Sequence, residues 1–324
     1  MLIKTETNTF AISTFQFWRA YFIQMRPYLL FISGIAGTSG IALSATESTP
    51  LWKIIIAFIP FFLGYGFGQA LTDCFQTDTD KLSAPYRPLS KGTISIPAVL
   101  IVSISGLTSI GILLFLLHPM CFWLSVISVF GLATYSYIKK NFWFGGPFYN
   151  AWIVALLPVM GYFTSLPSSE RTFGPSMYIY PAMTFFSYAN FVLMGYLKDI
   201  DADKATGYKT FPVVFGWSKT IIIGDIFAVT TLLLFWWPGI TNINELLFGI
   251  AGSAIIIAGQ ISAHASKRKD EKDALIPILS TVRSFVLLHI AMILHFQPDW
   301  KIFAILLYVF FEVAIFLRPS RYQV

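Results

Sequence analysis

Ten stretches of about twenty mostly apolar residues recur along this chain, at 27–46, 51–71, 96–117, 119–138, 146–166, 176–197, 220–241, 245–265, 275–296 and 301–318. A stretch of that length, wound as a helix, spans the hydrocarbon of a bilayer. In lipid only helices and closed barrels satisfy their own backbone groups, and uninterrupted apolar runs without strict alternation select helices. The expected fold is therefore all-α and polytopic, with nine transmembrane helices. The last run is short and carries Glu312, which makes a tenth crossing an open alternative. Residues 1–26 read as an N-terminal segment outside the membrane, and 27–324 as a single transmembrane domain.

Composition supports this and closes other routes. Hydrophobic residues make up 56% and charged residues 12% of the 324, where a soluble domain carries about 25% charged. The net charge of +6 is thus no nucleic-acid signature, since so few charges cannot build a basic face. Two cysteines, Cys74 and Cys121, give neither a disulfide framework nor zinc spacing. Basic residues gather on alternate loops: Lys4, Arg19 and Arg26 at the start, then Lys81, Arg87 and Lys91, then Lys139 and Lys140. Lys198, Lys204, Lys209 and Lys219 follow, then Lys267, Arg268, Lys269 and Lys272. The other side holds Lys53, Arg171 and Lys301, and a tenth crossing adds Arg318 and Arg321 to the basic side. The positive-inside bias places the N-terminus and the long polar loops in the cytoplasm.

Two of those loops concentrate acid. QALTDCFQTDTDKLSAPYRPLSKG (69–92) carries Asp73, Asp78 and Asp80; YLKDIDADKATGYKTFPVVFGWSK (196–219) carries Asp199, Asp201 and Asp203. Each cluster begins where a span ends and is trailed by a basic residue, a proline, a glycine and a lysine, a weak internal repeat. If helix continues past each span, Asp73, Gln76 and Asp80 share a face with Asp78 off it, and Asp199 and Asp203 project together with Asp201 away. Like charges so spaced repel unless cations bind, and Mg²⁺ characteristically takes one or two carboxylates and completes its shell with water and phosphate. Two such clusters facing one another suit a diphosphate held between metal and basic side chains. A solvated loop is the plain alternative for either cluster alone; two matched clusters on one side weigh toward a site.

These residues resemble the UbiA superfamily of intramembrane prenyltransferases. The second loop resembles the family's second aspartate motif through Lys198-Asp199, Asp203, Gly207 and TFPVVFG (210–216). Arg87-Pro88-Leu89 with Lys91-Gly92 resembles the element closing the first motif; Tyr135-Ser136 with Lys139 and Lys140, and Arg26-Pro27, are similar to further family features. The likeness runs over roughly 24–296. It implies nine helices around a cavity capped by the aspartate loops, a side portal to lipid, and Mg²⁺ holding a prenyl diphosphate. The first motif departs from the family's NxxxDxxxD: counting back from Arg87, its positions fall on Thr72, Gln76 and Asp80. A register through Gln69, Asp73 and Asp78 supplies two carboxylates but needs a one-residue insertion. Gln76 can still offer a neutral oxygen to a metal.

The resulting expectation assigns Asp73, Gln76, Asp78, Asp80, Asp199 and Asp203 to Mg²⁺, and Arg87, Lys139 and Lys198 to the diphosphate, with Lys91, Lys140 and Lys209 as further contacts. Tyr149, Tyr162 and Tyr196 are cavity candidates for an allylic cation, and Asn150 and Asn190 could orient an acceptor. The expected reaction transfers a prenyl group to a lipophilic acceptor, an aromatic one foremost; cyclisation of the substrate on itself is the alternative. His118, His264, His289 and His295 read as structural. Asp225, Arg283 and Glu312 lie inside spans; a transporter would place such groups at the midplane, but Arg283 and Asp225 could simply pair.

Overall fold

The computed structural model describes residues 9–166 and 174–318; Lys4, Arg171 and Arg321 lie outside them. Within these residues the chain is helical, without strands. Helix α1 covers Phe15–Gln24, and α2 covers Leu30–Ser44 after a 3₁₀ turn at Pro27–Leu29. Then follow α3 (Leu51–Asp73), α4 (Thr77–Ser83), α5 (Ile96–Leu117), α6 (Pro119–Asn141), α7 (Ala151–Ser165), α8 (Ser176–Tyr196) and α9 (Ile200–Ala205). The chain ends with α10 (Phe211–Trp236), α11 (Ile243–Ala265), α12 (Leu275–Phe296) and α13 (Lys301–Phe316).

Each of the ten apolar runs is a helix, but only seven helical segments among the described residues are long and apolar enough to cross a membrane: Pro27–Ser44, α3, α5, α6, α10, α11 and Glu271–Phe296. The other runs fall short for local reasons. The run at 146–166 begins with a π-helical turn at Gly145–Asn150, leaving α7 with 15 residues, and α13 has 16. Nor is the N-terminal segment featureless, since α1 folds against the ends of the spans.

Helices α2 and α12 are the most enclosed, and the others pack around them. Small residues permit this. A Cβ at Gly40 would run into the backbone of Pro158, and one at Gly161 into the backbone of Gly37, so α2 and α7 approach at glycine contacts, as membrane helices do in the absence of a hydrophobic drive between them. Helix α13 is fastened to α12 by Arg283, whose Nε and Nη2 each donate to Glu312 at 2.8 Å. Asp225 instead meets His264 Nε2 at 2.7 Å. The expected Arg283–Asp225 pair is therefore replaced: Glu312 gives Arg283 a bidentate carboxylate from the neighbouring helix, the geometry guanidinium prefers.

Candidate active site

The first acidic loop turns sharply. Helix α3 ends at Asp73, residues 74–76 break it, and Gln76 precedes α4. Despite the break, Asp73, Gln76 and Asp80 face one cavity, while Asp78 points outward to Lys140 Nζ at 2.8 Å and the Tyr208 hydroxyl at 3.1 Å. Asp73 is heavily engaged. Arg26 Nη2 donates to both its oxygens at 2.9 Å, and the Gln24 and Gln69 amides each donate at 2.6 Å. Arg87 Nη1 lies 2.7 Å from Asp80 and 3.9 Å from Asp73. Burial works against the Arg87 charge, yet Asp80 and Asp73 outweigh it and hold its pKa above the ordinary arginine value. Burial, reinforced by the charge of Asp73, raises the Asp80 carboxyl although Arg87 opposes it. Arg26 adopts left-handed backbone angles (φ 54°), a conformation rare outside glycine and one that concentrates at functional sites; here it delivers the guanidinium to Asp73.

The second loop is built differently. Asp199 stands just before α9 and lines the cavity. Its Oδ1 is buried without a hydrogen-bond partner among the described residues. Asp203, one turn on, is fully buried behind it and accepts from the Thr79 hydroxyl at 3.2 Å and the Thr210 hydroxyl at 3.0 Å, with Lys139 Nζ at 3.9 Å. Burial raises its pKa against the pull of Lys139. Asp203 is thus absent from the cavity wall and braces the two loops together. Asp201 is exposed, as the helical-face argument requires. Lys198 lines the cavity; burial lowers its pKa to about 8, with Asp199 opposing and Arg87 and Arg26 adding to the fall.

The two loops, over a hundred residues apart, meet through Thr79–Asp203 and Tyr208–Asp78. Beneath them lies a polar cavity of about 100 Å³ in which four cations (Arg26, Arg87, Lys139, Lys198) face three carboxylates (Asp73, Asp80, Asp199). The Arg26 and Arg87 Nε–H groups are buried with no acceptor among the described residues. Lys139 Nζ donates to Gln76 Oε1 at 3.0 Å and sits 5.1 Å from the Tyr196 ring centre. Tyr65, Gln69, Tyr135, Asn150 and Tyr188 line this cavity and also a second, apolar chamber of about 110 Å³ that runs between α3, α5, α6 and α7 to Leu114 and Met160. The tyrosine hydroxyls join in pairs, Tyr65 with Tyr188 at 3.1 Å and Tyr135 with Tyr196, which lines the polar cavity alone, at 2.8 Å.

Several expected residues stand elsewhere. Lys91 and Lys209 are exposed, and neither they nor Lys140 line the cavity; one is on the turn after Arg87, and the backbone N–H of Lys209 is spent on the Lys140 carbonyl at 2.9 Å. Tyr149 bonds Thr134 at 2.5 Å and packs on Trp152. Tyr162 lies in an apolar cluster with Cys121 and Met160, toward the far end of the bundle. Asn190 faces Gly224 and Gln260, because cavity-lining Tyr188, Phe191 and Tyr196 occupy the other side of α8. Asn150 does line the cavity and donates to the Tyr188 hydroxyl at 3.4 Å. Conversely, Gln24, Arg26, Gln69, Tyr65, Tyr135 and Tyr188 escaped the site assignment. The signal available for Arg26 was a cation directly before the proline that opens a span.

No group of three or more His, Cys, Asp or Glu among the described residues is arranged to hold a metal. That excludes an all-protein cage but fits Mg²⁺, which binds through one or two carboxylates and substrate phosphates. The unpartnered Asp199 oxygen is the donor best placed for it, with Asp80, Asp73 and Gln76 around the same cavity.

Comparison with known proteins gives the family and the fold. A digeranylgeranylglyceryl phosphate synthase of Pyrococcus furiosus is 28% identical over 243 residues, 75% of this chain and 83% of that protein. The protein of the same name from Thermococcus kodakarensis is 25% identical over 221 residues, 68% and 78% of the two chains. Among solved structures, one described as a digeranylgeranylglyceryl phosphate synthase superposes with a TM-score of 0.63 at 18% identity, covering 87% of this chain and 99% of that one. A UbiA homologue of Archaeoglobus fulgidus bound to DMAPP and Mg²⁺ gives 0.61 at 18%, covering 83% and 98%. The sequence pattern of the UbiA prenyltransferase family matches residues 30–286, and the chain belongs to that family.

Proposed function

We propose that this enzyme ionises a long-chain prenyl diphosphate and transfers the prenyl group to a hydroxyl of a glyceryl phosphate lipid within the membrane. The observation that carries the reading is a pair of adjoining cavities, a cationic mouth closed by both acidic loops and an apolar chamber that shares its wall of tyrosines. A prenyl diphosphate has this division of polarity. The acceptor follows the names of the curated relatives, which point to a glyceryl phosphate and away from the aromatic acceptor expected from the sequence; they lend nothing to cyclisation.

Arg26, Arg87, Lys139 and Lys198 hold the diphosphate oxygens. The unmet Arg26 and Arg87 Nε–H groups are donors awaiting an anion, since a buried donor left unpaired costs about 1–3 kcal/mol. Mg²⁺ bound at Asp199, with Asp80 and Asp73, would supply further charge neutralisation as the leaving group departs. The C–O bond breaks with its electron pair staying on the diphosphate. Tyr188, Tyr65, Tyr135 and Tyr196 line the place where the allylic cation forms, offering ring faces and excluding water. The acceptor oxygen then bonds the allylic carbon, and its proton passes to the released diphosphate. The loops and the N-terminus face the cytoplasm, and α7, α8 and α13 complete a bundle of nine or ten crossings.

Detergent-purified protein with geranylgeranyl diphosphate, Mg²⁺ and a monoprenylated glyceryl phosphate should yield the diprenylated product by mass spectrometry, with pyrophosphate released only when acceptor is present. Pyrophosphate released without acceptor, together with a cyclic hydrocarbon, would overturn the transferase reading.

A further inference from the structure

Helix α1 has three faces. Phe17, Ala20, Tyr21 and Gln24 are buried against the bundle. Gln16 and Arg19 are exposed on a second, polar face. Phe15, Trp18 and Phe22, spaced by three and four residues, share a third face and are 78%, 49% and 53% exposed. Three sectors on one helix match three surroundings: protein, water and hydrocarbon. The level is right as well. The Tyr21 hydroxyl lies 2.7 Å from Ser103 Oγ in α5, and Phe10 N–H donates to Thr93 O at 2.9 Å, so α1 lies along the rim where α3 ends and α5 begins. Its lipid-ready face continues the apolar surface of those spans.

The helix ends in Gln24, 1% exposed. The amide nitrogen of this side chain donates to Asp73 Oδ2 at 2.6 Å, and its oxygen accepts from Leu89 N–H at 3.1 Å. Asp73 enters the first acidic loop and Leu89 leaves it, just after Arg87. One amide therefore ties the loop's two ends together and to α1.

We propose that α1 is an interfacial helix seated in a lipid leaflet through Phe15, Trp18 and Phe22, and that Gln24 is a positioning residue that holds Asp73 and Arg87 in register. The second half rests on the cavity mouth being the diphosphate site; the first does not. Both native cysteines are buried, so nitroxide labels can be attached through Phe15→Cys, Trp18→Cys, Phe22→Cys, Gln16→Cys and Arg19→Cys in protein reconstituted into phosphatidylcholine–phosphatidylglycerol vesicles. Labels at 15, 18 and 22 should collide more with oxygen than with a water-soluble nickel chelate, and those at 16 and 19 the reverse. Nickel-dominated collisions at all five positions would overturn the lipid seat. For Gln24, the probe is inorganic pyrophosphate with Mg²⁺. Gln24→Leu loses both bonds and should weaken pyrophosphate binding about tenfold, the weight of one charge-assisted hydrogen bond, and raise KM for prenyl diphosphate more than it lowers kcat. Gln24→Glu keeps the acceptor for Leu89 but sets a second carboxylate against Asp73, and should weaken binding at least as much. Wild-type pyrophosphate affinity in both variants, even with a lowered melting temperature, would overturn the positioning role.

Discussion

The two acidic loops look like copies in the sequence, yet the structure uses their carboxylates in opposite ways. In the first loop the cavity-facing carboxylates are already neutralised, Asp73 by Arg26 and two amides, Asp80 by Arg87. In the second, Asp199 keeps an oxygen without a partner among the described residues, while Asp203 has withdrawn to brace the first loop through the Thr79 hydroxyl and its own loop through that of Thr210. The difference teaches that acidic residues at repeated spacing do not imply equal claims on a metal. A carboxylate saturated by guanidinium fixes that guanidinium in place; an unsaturated one keeps an oxygen open to a metal, as proposed for Asp199. Gln76 fits this division, since its neutral oxygen accepts from Lys139 without cancelling the lysine's charge.

The sharpest way to break the comparison is Asp199→Asn. It removes the cavity carboxylate whose Oδ1 is buried without a hydrogen-bond partner among the described residues, and should lower kcat/KM by at least about a thousandfold, the scale on which transition-state charge stabilisation acts, with an unchanged melting temperature. Retention of wild-type turnover would move the metal to the first loop. Arg87→Leu should do its damage to stability as well as activity. It strands Asp80 in a site that burial already disfavours for the charged form, and breaking a buried pair from one side costs about 3–5 kcal/mol. A thermal melt in detergent checks this, and a melting temperature equal to wild type would mean that Arg87 is no structural partner of Asp80.

How far such distinctions could be read in advance depends on the scale of the feature. Apolar runs of membrane length are local and located the helices, though α10 begins at Phe211 where the run begins at 220, and the face on which Asp73, Gln76 and Asp80 lie survived the break at 74–76 because α4 resumes with the cavity on the same side. What depends on the rotation of one helix against another was not legible. Asn190 and Tyr188 are two residues apart, and nothing in the chain says which of them faces the cavity; the structure chooses Tyr188. Partner choice was equally hidden. Arg283 could have met Asp225 or Glu312, and only the placement of α13 beside α12 decides for Glu312. Gln24 lies in a segment without an apolar run, which gives no hint that it folds back onto Asp73, and the pairing of Arg26 with Pro27 marks the start of a span without revealing that the guanidinium reaches Asp73.

Gln76→Asp tests the first loop more gently. It puts a carboxylate where an amide oxygen now accepts from Lys139 at 3.0 Å and loses the Gln76 Nε2–Ser136 bond of 3.2 Å. A closer ion pair would hold Lys139 away from substrate, while the added charge would strengthen the metal side, so KM for the prenyl diphosphate should rise a few-fold as the Mg²⁺ concentration for half-maximal rate falls. No change in either titration would show that residue 76 serves neither role.

The smallest effect is expected at Asp201, and it bears on the comparison because Asp201 is the second loop's decoy: an aspartate two residues from Asp199 and from Asp203, carrying the same charge. Its side chain is exposed, and the interaction that ties it down is made by its backbone, whose N–H donates to Glu271 Oε1 at 2.8 Å. Asp201→Asn leaves that bond intact. A surface substitution of this kind stays within about 0.5 kcal/mol in stability, and kcat/KM should remain within about twofold of wild type on the same scale. A loss approaching that of Asp199→Asn would mean that α9 is rotated from the orientation seen here, and with it the assignment of Asp199 as ligand and Asp203 as brace would fall.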